Sequence, residues 1–216
     1  MIVAPSIIAA DFSQLQKEIK KVEKAGADLL HLDVMDGVFV PNLTFGPMMV
    51  EAINKMTDLE LDVHLMIAKP EKYLGVFIDA GADWISFHAE ASNKTDKCIR
   101  FIRNHKKKVG LAISPGTPLR KLTKYLAKID FILIMTVNPG FYGQKFMPEI
   151  LKKISEAKSW LVRHHLPCSI QVDGGISHKN AEDVARAGAD IVVAGASIFK
   201  SRDYKRAVHD LRCSKV

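Results

Sequence analysis

Three copies of the tetrapeptide Ala-Gly-Ala-Asp divide the chain at regular intervals, at Ala25–Asp28, Ala80–Asp83 and Ala187–Asp190. Each copy ends a charged, helix-like segment and begins an apolar one, and glycine after the last helical turn is a common stop signal. The copies are 55 and 107 residues apart, close to two and four times 27, and 27 is one eighth of the 216 residues. The spacing therefore predicts eight β–α units.

On that period we predict eight strands, each followed by a segment of helical length; one of these segments is Pro118–Leu126. The strands are expected at Ile2–Ser6, Leu29–Met35, Leu59–Met66, Trp84–His88, Val109–Ser114, Phe131–Val137, Ser169–Asp173 and Ile191–Ala194. Alternating apolar strands and helices indicate an α/β protein, and eight units favour one (β/α)8 TIM barrel domain over residues 1–216. An open doubly wound sheet is less favoured, because no Gly-x-Gly-x-x-Gly follows the first strand and there is no Walker-type lysine.

Composition limits the class of protein and its partners. The net charge is +7, but the basic residues lie mainly in predicted helices, without the interleaved aromatic residues of a nucleic-acid groove. No apolar run approaches the roughly 20 residues of a membrane span, and the apolar start of the chain lacks a basic leader. Three widely spaced cysteines argue against a disulfide framework. We expect a cytoplasmic protein that binds neither nucleic acid nor membrane, with a positive field that steers an anionic metabolite.

Polar side chains lie where three of the predicted strands end. His31 and Asp33 are on the second strand, His64 is on the third, and Asp173 ends the seventh. A lone histidine or aspartate at a strand end is more often a hydrogen-bonding residue. In a barrel, however, these strand ends meet at one mouth, and buried charges are costly unless they are paired or bound to metal. The four residues together predict a site for a divalent ion such as zinc or ferrous iron.

Three methionines, Met35, Met66 and Met135, lie near the same strand ends. Methionine often fills gaps in a core, and its thioether is a poor ligand for the ions that histidine and aspartate prefer. We therefore expect these side chains to form an apolar wall around the reacting atoms.

Glycine-rich turns follow the last three strands, at Asn138–Gln144, Asp173–Ile176 and Gly195–Ile198. Exposed backbone N–H groups in such turns and at helix N-termini bind oxyanions. The loops after strands seven and eight hold a phosphate group in many barrels. Three such turns in successive units predict a phosphate site beside the metal site.

These motifs occur together in one known family. Their order, spacing and identity resemble the ribulose-phosphate 3-epimerase family, and the resemblance runs from Ala4-Pro-Ser6 to about Tyr204. The segments that carry it are His31-x-Asp-x-Met-Asp-Gly37, Phe39-Val-Pro-Asn42, Asp62-Val-His-Leu-Met66, Val137-Asn-Pro-Gly-Phe141 with Gly143-Gln144, and Val172-Asp-Gly-Gly175.

The resemblance implies a (β/α)8 barrel that uses one divalent metal ion (Zn, Fe, Mn or Co) to interconvert D-ribulose 5-phosphate and D-xylulose 5-phosphate in the pentose phosphate pathway. It also implies a homo-oligomer. His31, Asp33, His64 and Asp173 would bind the metal, and Asp33 and Asp173 would also be the catalytic acid and base. Ser6 and His64 would contact the substrate. The other implied substrate-binding residues, around the phosphate and its approach, are Gly140, Phe141, Tyr142, Gly143, Gly174, Gly175, Gly195 and Ala196.

The chemistry of that reaction suits these residues. Inverting a carbon next to a ketone requires removal of its proton and return of a proton to the opposite face, so two carboxyl groups must flank the carbon. Asp33 and Asp173, on the second and seventh strands, are placed to be that pair. A cation near the ketone oxygen would stabilise the negative charge of the 2,3-enediolate. Which aspartate acts as base then depends on the direction of the reaction.

Two connections, 36–47 and 138–148, are longer than usual βα loops and follow strands on the predicted active face. We expect them to cover the bound substrate and exclude water.

Two departures from the family pattern affect these loops. The chain has Gly140-Phe-Tyr-Gly143 where Gly-Phe-Gly-Gly is usual, and a left-handed backbone at Tyr142 would strain it. Gly195-Ala-Ser197 replaces the common Gly-Ser-Ala. Tyr142 leaves a hexulose-phosphate 3-epimerase, acting for example on allulose 6-phosphate, as an alternative. A catalytically silent phosphosugar-binding barrel is a second alternative, although a binder has no need of an acid/base pair.

Overall fold

The structure is a computed structural model and describes residues 1–212. One sheet of eight parallel strands forms its centre, which confirms the predicted (β/α)8 barrel. The strands are β1 Ile2–Pro5, β2 Leu29–Met35, β3 Glu60–Met66, β4 Trp84–His88, β5 Lys108–Ile113, β6 Phe131–Met135, β7 Ser169–Asp173 and β8 Ile191–Ala194. Neighbouring strands pair in the order β1-β8-β7-β6-β5-β4-β3-β2, and a parallel bridge between Ser6 and His31 links β1 to β2.

Alternate residues of each strand enter two different parts of the core. On β2, Leu30 and Leu32 belong to the large apolar cluster beneath the helices. His31, Asp33 and Met35 alternate with these leucines and with Val34 of the same cluster, and successive side chains of a strand point to opposite faces. They therefore point toward the barrel axis, where the second strand was predicted to present them.

Helices cover the outside of the barrel. They are α1 Leu15–Lys24, α2 Pro47–Asn54, α3 Leu74–Asp79, α4 Thr95–Asn104, α5 Ile150–Arg163, α6 Ala181–Ala187, α7 Ala196–Phe199 and α8 Tyr204–Arg212. The apolar faces of the longer helices pack against the strands; α4, for example, buries Cys98, Ile99 and Ile102. The short α7 follows directly after the Gly195 turn.

The predicted helix Pro118–Leu126 is wrong. The connection between β5 and β6 instead contains two 3-10 segments, Leu119–Lys121 and Leu126–Lys128. Its backbone N–H groups bond three residues back, for example from Leu122 to the carbonyl of Leu119. Apolar residues three apart fit a 3-10 helix, with three residues per turn, as well as they fit an α-helix. The sequence pattern therefore did not separate the two.

The aspartates of the Ala-Gly-Ala-Asp repeats accept hydrogen bonds from backbone N–H groups near the amino ends of the strands. Each accepts a hydrogen bond from a backbone N–H group of the preceding strand, at 2.8–3.1 Å, and Asp130 does the same without a repeat. The pairs are Asp28 with Val3, Asp83 with Leu61, Asp130 with Val109 and Asp190 with Ile170. These aspartates thus precede every second strand, and the repeat precedes three of those four strands, β2, β4 and β8, which explains its spacing.

Two of the composition-based expectations can be compared with the described residues. Cys98 and Cys168 are buried free thiols, in agreement with the absence of a disulfide framework, and Cys213 lies outside the described residues. Within residues 1–212, no helix combines the length and the apolar character needed to cross a membrane.

Candidate active site

A cavity of about 230 Å³ opens at the carboxyl ends of the strands. Asp33 and Asp173 line it, as does the predicted apolar wall of Met35, Met66 and Met135. The structure also brings the predicted substrate-binding residues to this cavity, apart from His64, which lies behind it. Those that line it are Ser6, Gly140, Phe141, Tyr142, Gly143, Gly174, Gly175, Gly195 and Ala196.

The four predicted metal-binding residues meet at one point beside the cavity. Each of His31, Asp33, His64 and Asp173 offers one ligand atom, and these atoms all lie within 4.8 Å of one another. Both imidazoles are fully buried, and the side chain of Asp173 is the most exposed of the four, at 15%. β2, β3 and β7 contribute these residues, so strands distant in sequence build one group.

A neighbouring carboxylate orients His31. Nδ1 of His31 lies 2.7 Å from Asp62 Oδ2, and Gln171 donates to that same oxygen at 2.5 Å. Nε2 of His31 is buried, has no hydrogen-bond partner among the described residues, and lies 3.3 Å from Asp33 Oδ1. Because Asp62 Oδ2 accepts a hydrogen bond from Nδ1, the Nε2 lone pair of a neutral His31 would face the four-residue group. Neither Asp62 nor Gln171 was predicted to take part in the site.

The two oxygens of Asp33 face different parts of the site: one faces the imidazoles and the other faces the cavity. Oδ1 lies 3.3 Å from His31 Nε2 and 3.3 Å from His64 Nδ1. Oδ2 accepts a hydrogen bond of 2.5 Å from the hydroxyl of Ser6, which lines the cavity. One carboxylate can therefore face a cation with one oxygen and a substrate with the other.

The two aspartates at the cavity have opposite pKa shifts. Burial would raise the pKa of Asp33, but the charge of His31 and the close approach of the His31 and His64 imidazoles lower it far below its ordinary value. Burial and the nearby charge of Asp33 raise the pKa of Asp173 to about 7. One carboxyl group is thus held ionised while the other can carry a proton, the arrangement that acid/base chemistry needs.

The histidines differ in the same way. Burial, together with the nearby imidazole of His88, lowers the pKa of His64 to about 4, so this ring is neutral at neutral pH. For His31, burial alone would lower the pKa, but the negative charges of Asp62 and Asp33 raise it well above its ordinary value. The surroundings of His31 therefore favour a positive charge.

This donor set fits a divalent metal ion. Two imidazoles and two carboxylates are ligands that zinc and other first-row divalent ions accept. The buried Nε2 of His31 has no hydrogen bond among the described residues, and a cation would supply the missing partner. The four residues could therefore hold a metal ion.

Comparison with known proteins agrees with this geometry. A model of the "Ribulose-phosphate 3 epimerase family" matches residues 2–199, which include every residue of the site described above. The chain belongs to the ribulose-phosphate 3-epimerase family. It is 47% identical over 214 residues to the ribulose-phosphate 3-epimerase of Bacillus subtilis (strain 168), covering 99% of each chain. It is 49% identical over 217 residues to that of Synechocystis sp., covering 100% of this chain and 94% of the relative.

Solved structures show that the fold of this ribulose-phosphate 3-epimerase family member is shared more widely. A 3-hexulose-6-phosphate synthase aligns over 100% of both chains with a TM-score of 0.69 and 19% identity. The synthase from Salmonella typhimurium gives a TM-score of 0.71, also at 19% identity, over 98% of this chain and 96% of its own. At this level of identity the likeness shows the barrel fold only.

The strand-six loop departs from the ribulose-phosphate 3-epimerase pattern without backbone strain at the substituted position. Gly140 and Gly143 have φ values of +129° and +78°, whereas Tyr142 is not among the described non-glycine residues with positive φ. Its ring lines the cavity, and Lys200 Nζ lies 5.3 Å from the ring centroid. Tyr142 therefore bears on the shape of the cavity mouth and not on the loop conformation.

The two long connections contact each other above the site. Asn42 donates its side-chain amide to the carbonyl of Gly140 at 2.7 Å. A Cβ atom on Gly140 would lie 3.4 Å from Pro41 and 3.5 Å from Val40. The loops after β2 and β6 therefore pack together, and residues 140–144 of the second loop line the cavity.

Proposed function

We propose that this chain interconverts D-ribulose 5-phosphate and D-xylulose 5-phosphate in the pentose phosphate pathway, with residues 1–216 acting as a single catalytic domain. The observation that carries the proposal is the pair of carboxyl groups, Asp33 and Asp173, with opposite pKa shifts beside one cavity. The names and full-length coverage of the relatives support the same reaction.

In this proposal Asp33 and Asp173 stand on opposite faces of the carbon that inverts, C3. The ionised carboxylate takes the C3 proton, and the protonated carboxyl group returns a proton to the other face. After one turnover their protonation states are exchanged, so each residue serves as base in one direction of the reaction. The hydroxyl of Ser6 positions Asp33 through its bond to Oδ2.

His31, Asp33, His64 and Asp173 would hold a divalent cation, which we propose to be Zn, Fe, Mn or Co. When bound, such an ion would supply Lewis-acid stabilisation for the negative charge of the enediolate. The protein contributes the fixed orientation of the two imidazoles and a cavity wall of three methionines that limits water around the reacting carbon.

We propose that the phosphate group of the substrate lies at the turns that follow β7 and β8. Gly174 and Gly175 have φ values of +122° and +65°, a conformation in which glycine leaves backbone N–H groups open to a ligand. Gly195 and Ala196 line the same end of the cavity, at the start of α7. The loops after β2 and β6 would cover the bound sugar, and their contact through Asn42 supports movement as one unit.

Proton NMR in heavy water tests this proposal. Purified protein loaded with zinc or iron should incorporate deuterium at C3 of D-ribulose 5-phosphate as xylulose 5-phosphate appears, and a chelator should abolish the exchange. Allulose 6-phosphate is assayed in parallel, because Tyr142 at the cavity mouth bears on substrate size. Exchange with allulose 6-phosphate alone would favour a hexulose-phosphate epimerase. Absence of exchange with both substrates would reject epimerisation and leave a silent sugar-phosphate binder.

We also propose that the enzyme is cytoplasmic and acts as a homo-oligomer. The bacterial relatives are consistent with the first prediction. The second stays a prediction from the family, and the mass of the protein in solution, measured by light scattering, tests it.

A further inference from the structure

We propose that His88 and Glu90 are positioning residues that hold His64 in the tautomer able to bind a cation. The inference rests on the proposed function, because it takes His64 as a metal ligand. His88 ends β4 and Glu90 follows it by two residues. Neither residue lines the cavity, so they would act through His64 and not on the substrate.

A line of contacts runs from His64 to Glu90 behind the four-residue group. Nε2 of His64 lies 3.0 Å from Nε2 of His88, and the two rings stack with centroids 5.1 Å apart. Nδ1 of His88 faces Glu90 Oε2 at 3.4 Å. The ring of Phe39 packs on His88 with a centroid distance of 4.8 Å, which restricts the freedom of this imidazole to turn away.

The contact between the two Nε2 atoms requires one donor and one acceptor. A neutral imidazole carries its proton on one nitrogen and a lone pair on the other. The proton between the rings therefore fixes the role of the far nitrogen of each ring. The hydrogen bond between the two imidazoles therefore has only two possible directions of donation.

In the first direction His64 donates from Nε2 to His88. The Nδ1 lone pair of His64 then faces Asp33 and Asp173, at 3.3 and 4.0 Å, where a cation would bind. His88 carries its own proton on Nδ1, which faces the carboxylate of Glu90. With a cation bound at Nδ1 of His64, each nitrogen would have a partner of the opposite kind.

In the second direction His88 donates from Nε2 to His64. The Nδ1 atom of His64 then carries a proton and cannot bind a cation. A lone pair on His88 Nδ1 faces Glu90 Oε2, and neither of these buried atoms forms another hydrogen bond within residues 1–212. Two buried acceptors facing each other are costly. When a cation is bound at His64 Nδ1, the Glu90 carboxylate would thus select the first direction.

Glu90 is anchored so that its free oxygen points at His88. Its other oxygen, Oε1, accepts from the Ser114 backbone N–H group at 2.9 Å and from the Thr117 hydroxyl. Lys153 on α5 donates to the carbonyls of both Ser114 and Thr117, which fixes this turn. Burial would raise the pKa of Glu90, but hydrogen bonds from His88, Thr117 and Ser114 lower it to about 2, so Glu90 is ionised at neutral pH.

His31, the other imidazole of the site, is oriented by a carboxylate in direct contact with it. Asp62 binds the Nδ1 proton of His31 directly and leaves Nε2 to the four-residue group. Glu90 would act on His64 in two steps, with His88 between them. Each histidine of the group would therefore have a carboxylate, buried at Asp62 and partly buried at Glu90, that directs its lone pair.

The substitution Glu90→Gln should reverse the direction of the hydrogen bond between His64 and His88. The amide oxygen of glutamine takes the place of Oε1, because two donors point there, and the NH2 group then faces His88 Nδ1. His88 must accept at Nδ1 and donate from Nε2, which transfers the proton of His64 to Nδ1. Zinc affinity should fall about 10- to 100-fold, the usual cost of losing a residue that orients a metal ligand.

Two other variants complete the test. His88→Gln preserves the direction, since its amide oxygen can accept from His64 and its NH2 group can face Glu90, so zinc affinity should stay within about threefold of the parent, the ordinary scatter of such effects. Glu18→Gln is the matched control, because Glu18 is also buried and accepts from Tyr204 at 2.6 Å, far from the cavity. Affinities are measured by competition with a chelator, and the absorption spectrum of the cobalt-loaded protein reports ligand geometry.

Imidazole ¹⁵N NMR of the unmodified, zinc-loaded protein supplies a readout that needs no variant. We expect protons on Nε2 of His64 and Nδ1 of His88, and the reverse pattern would overturn the proposal. Equal zinc affinity and equal cobalt spectra for Glu90→Gln and Glu18→Gln would also overturn it. If the parent protein binds zinc with these tautomers but does not epimerise ribulose 5-phosphate, the proposed function fails and this inference stands.

Discussion

Replacing Gly175 with alanine tests how the proposed phosphate site is built. Gly175 has a φ of +65°, in the left-handed region that alanine rarely adopts. A Cβ atom there would lie 2.4 Å from the backbone nitrogen of Phe146 and 2.9 Å from the carbonyl oxygen of Gln144. Both atoms belong to the connection after β6, so this one glycine allows the β6 and β7 loops to pack against each other.

Two costs combine at this position. The left-handed backbone costs alanine about 1–2 kcal/mol. Steric overlap with these backbone atoms, which cannot move aside as a flexible side chain can, adds about 1–3 kcal/mol. Partial relaxation of the β6 loop should leave the free energy of unfolding lower by about 2–4 kcal/mol. Because the moved backbone would hold the phosphate equally in ground and transition states at the proposed site, KM should rise more than kcat falls.

Two glycines serve as controls that carry the strain without the overlap. Gly143 and Gly26 have φ values of +78° and +89°, and apart from their chain neighbours no heavy atom of residues 1–212 lies within 4 Å of a Cβ built on either. Gly143→Ala and Gly26→Ala should each lose only about 1–2 kcal/mol. Urea unfolding and steady-state kinetics with ribulose 5-phosphate are measured for all three variants. If Gly175→Ala unfolds no more easily than Gly26→Ala, the packing argument is wrong; if it is destabilised with an unchanged KM, the phosphate assignment is wrong.

Four further predictions concern the chemistry and the sheet. Asp33→Asn and Asp173→Asn should each slow deuterium exchange at C3 by at least about 100-fold, since each would remove a proposed general acid/base. Exchange near the parent rate would contradict these roles. Ser6→Ala removes a hydrogen bond to a charged oxygen, worth about 1.5–3 kcal/mol, and should lower kcat/KM by about tenfold or more in the same assay. The raised pKa values of Asp173 and His31 mean that protons compete with a cation for these two residues. Zinc affinity should therefore strengthen as pH rises through about 7, by up to about tenfold per pH unit for each proton displaced. Chelator competition across this range measures the affinity, and a flat profile would argue against the ligand set. Asp190→Ala leaves a strand N–H group without its acceptor and should cost about 1–3 kcal/mol in urea unfolding while KM is unchanged.

The strands and the four-residue group were predictable because a barrel strand has a simple pattern. Every second residue of β2 faces the helices and is apolar, so polar residues at the other positions stand out in the sequence. His31 and Asp33 were identified in this way, and His64 and Asp173 by the same alternation on β3 and β7. Spacing alone did not reveal which nitrogen of each imidazole faces the group, because that depends on the carboxylate that holds the other nitrogen.

Asp62, His88 and Glu90 were missed although a signal was present. Asp62-x-His64 on β3 and His88-x-Glu90 at the end of β4 repeat the alternation of His31-x-Asp33. A single buried histidine on a strand resembles an ordinary core residue. The contact between two imidazoles at 3.0 Å also depends on side-chain rotamers, which the sequence pattern does not specify.

The two ends of the barrel use aspartate differently because parallel strands leave different backbone groups unpaired. At the amino ends the unpaired groups are N–H donors, and Asp28 and Asp190 are occupied in accepting from them. At the carboxyl ends the unpaired groups are carbonyls, which cannot donate to a carboxylate. An aspartate at this end therefore needs imidazoles, hydroxyls or a cation as partners, and Asp33 lies beside two imidazoles and a hydroxyl. The exception is an aspartate that accepts from the backbone N–H groups of a neighbouring loop. Asp36 illustrates that exception: three backbone N–H groups of the loops donate to its oxygens at 2.8–2.9 Å, so it holds the loops in place while Asp33, three residues earlier, is left to face the cavity.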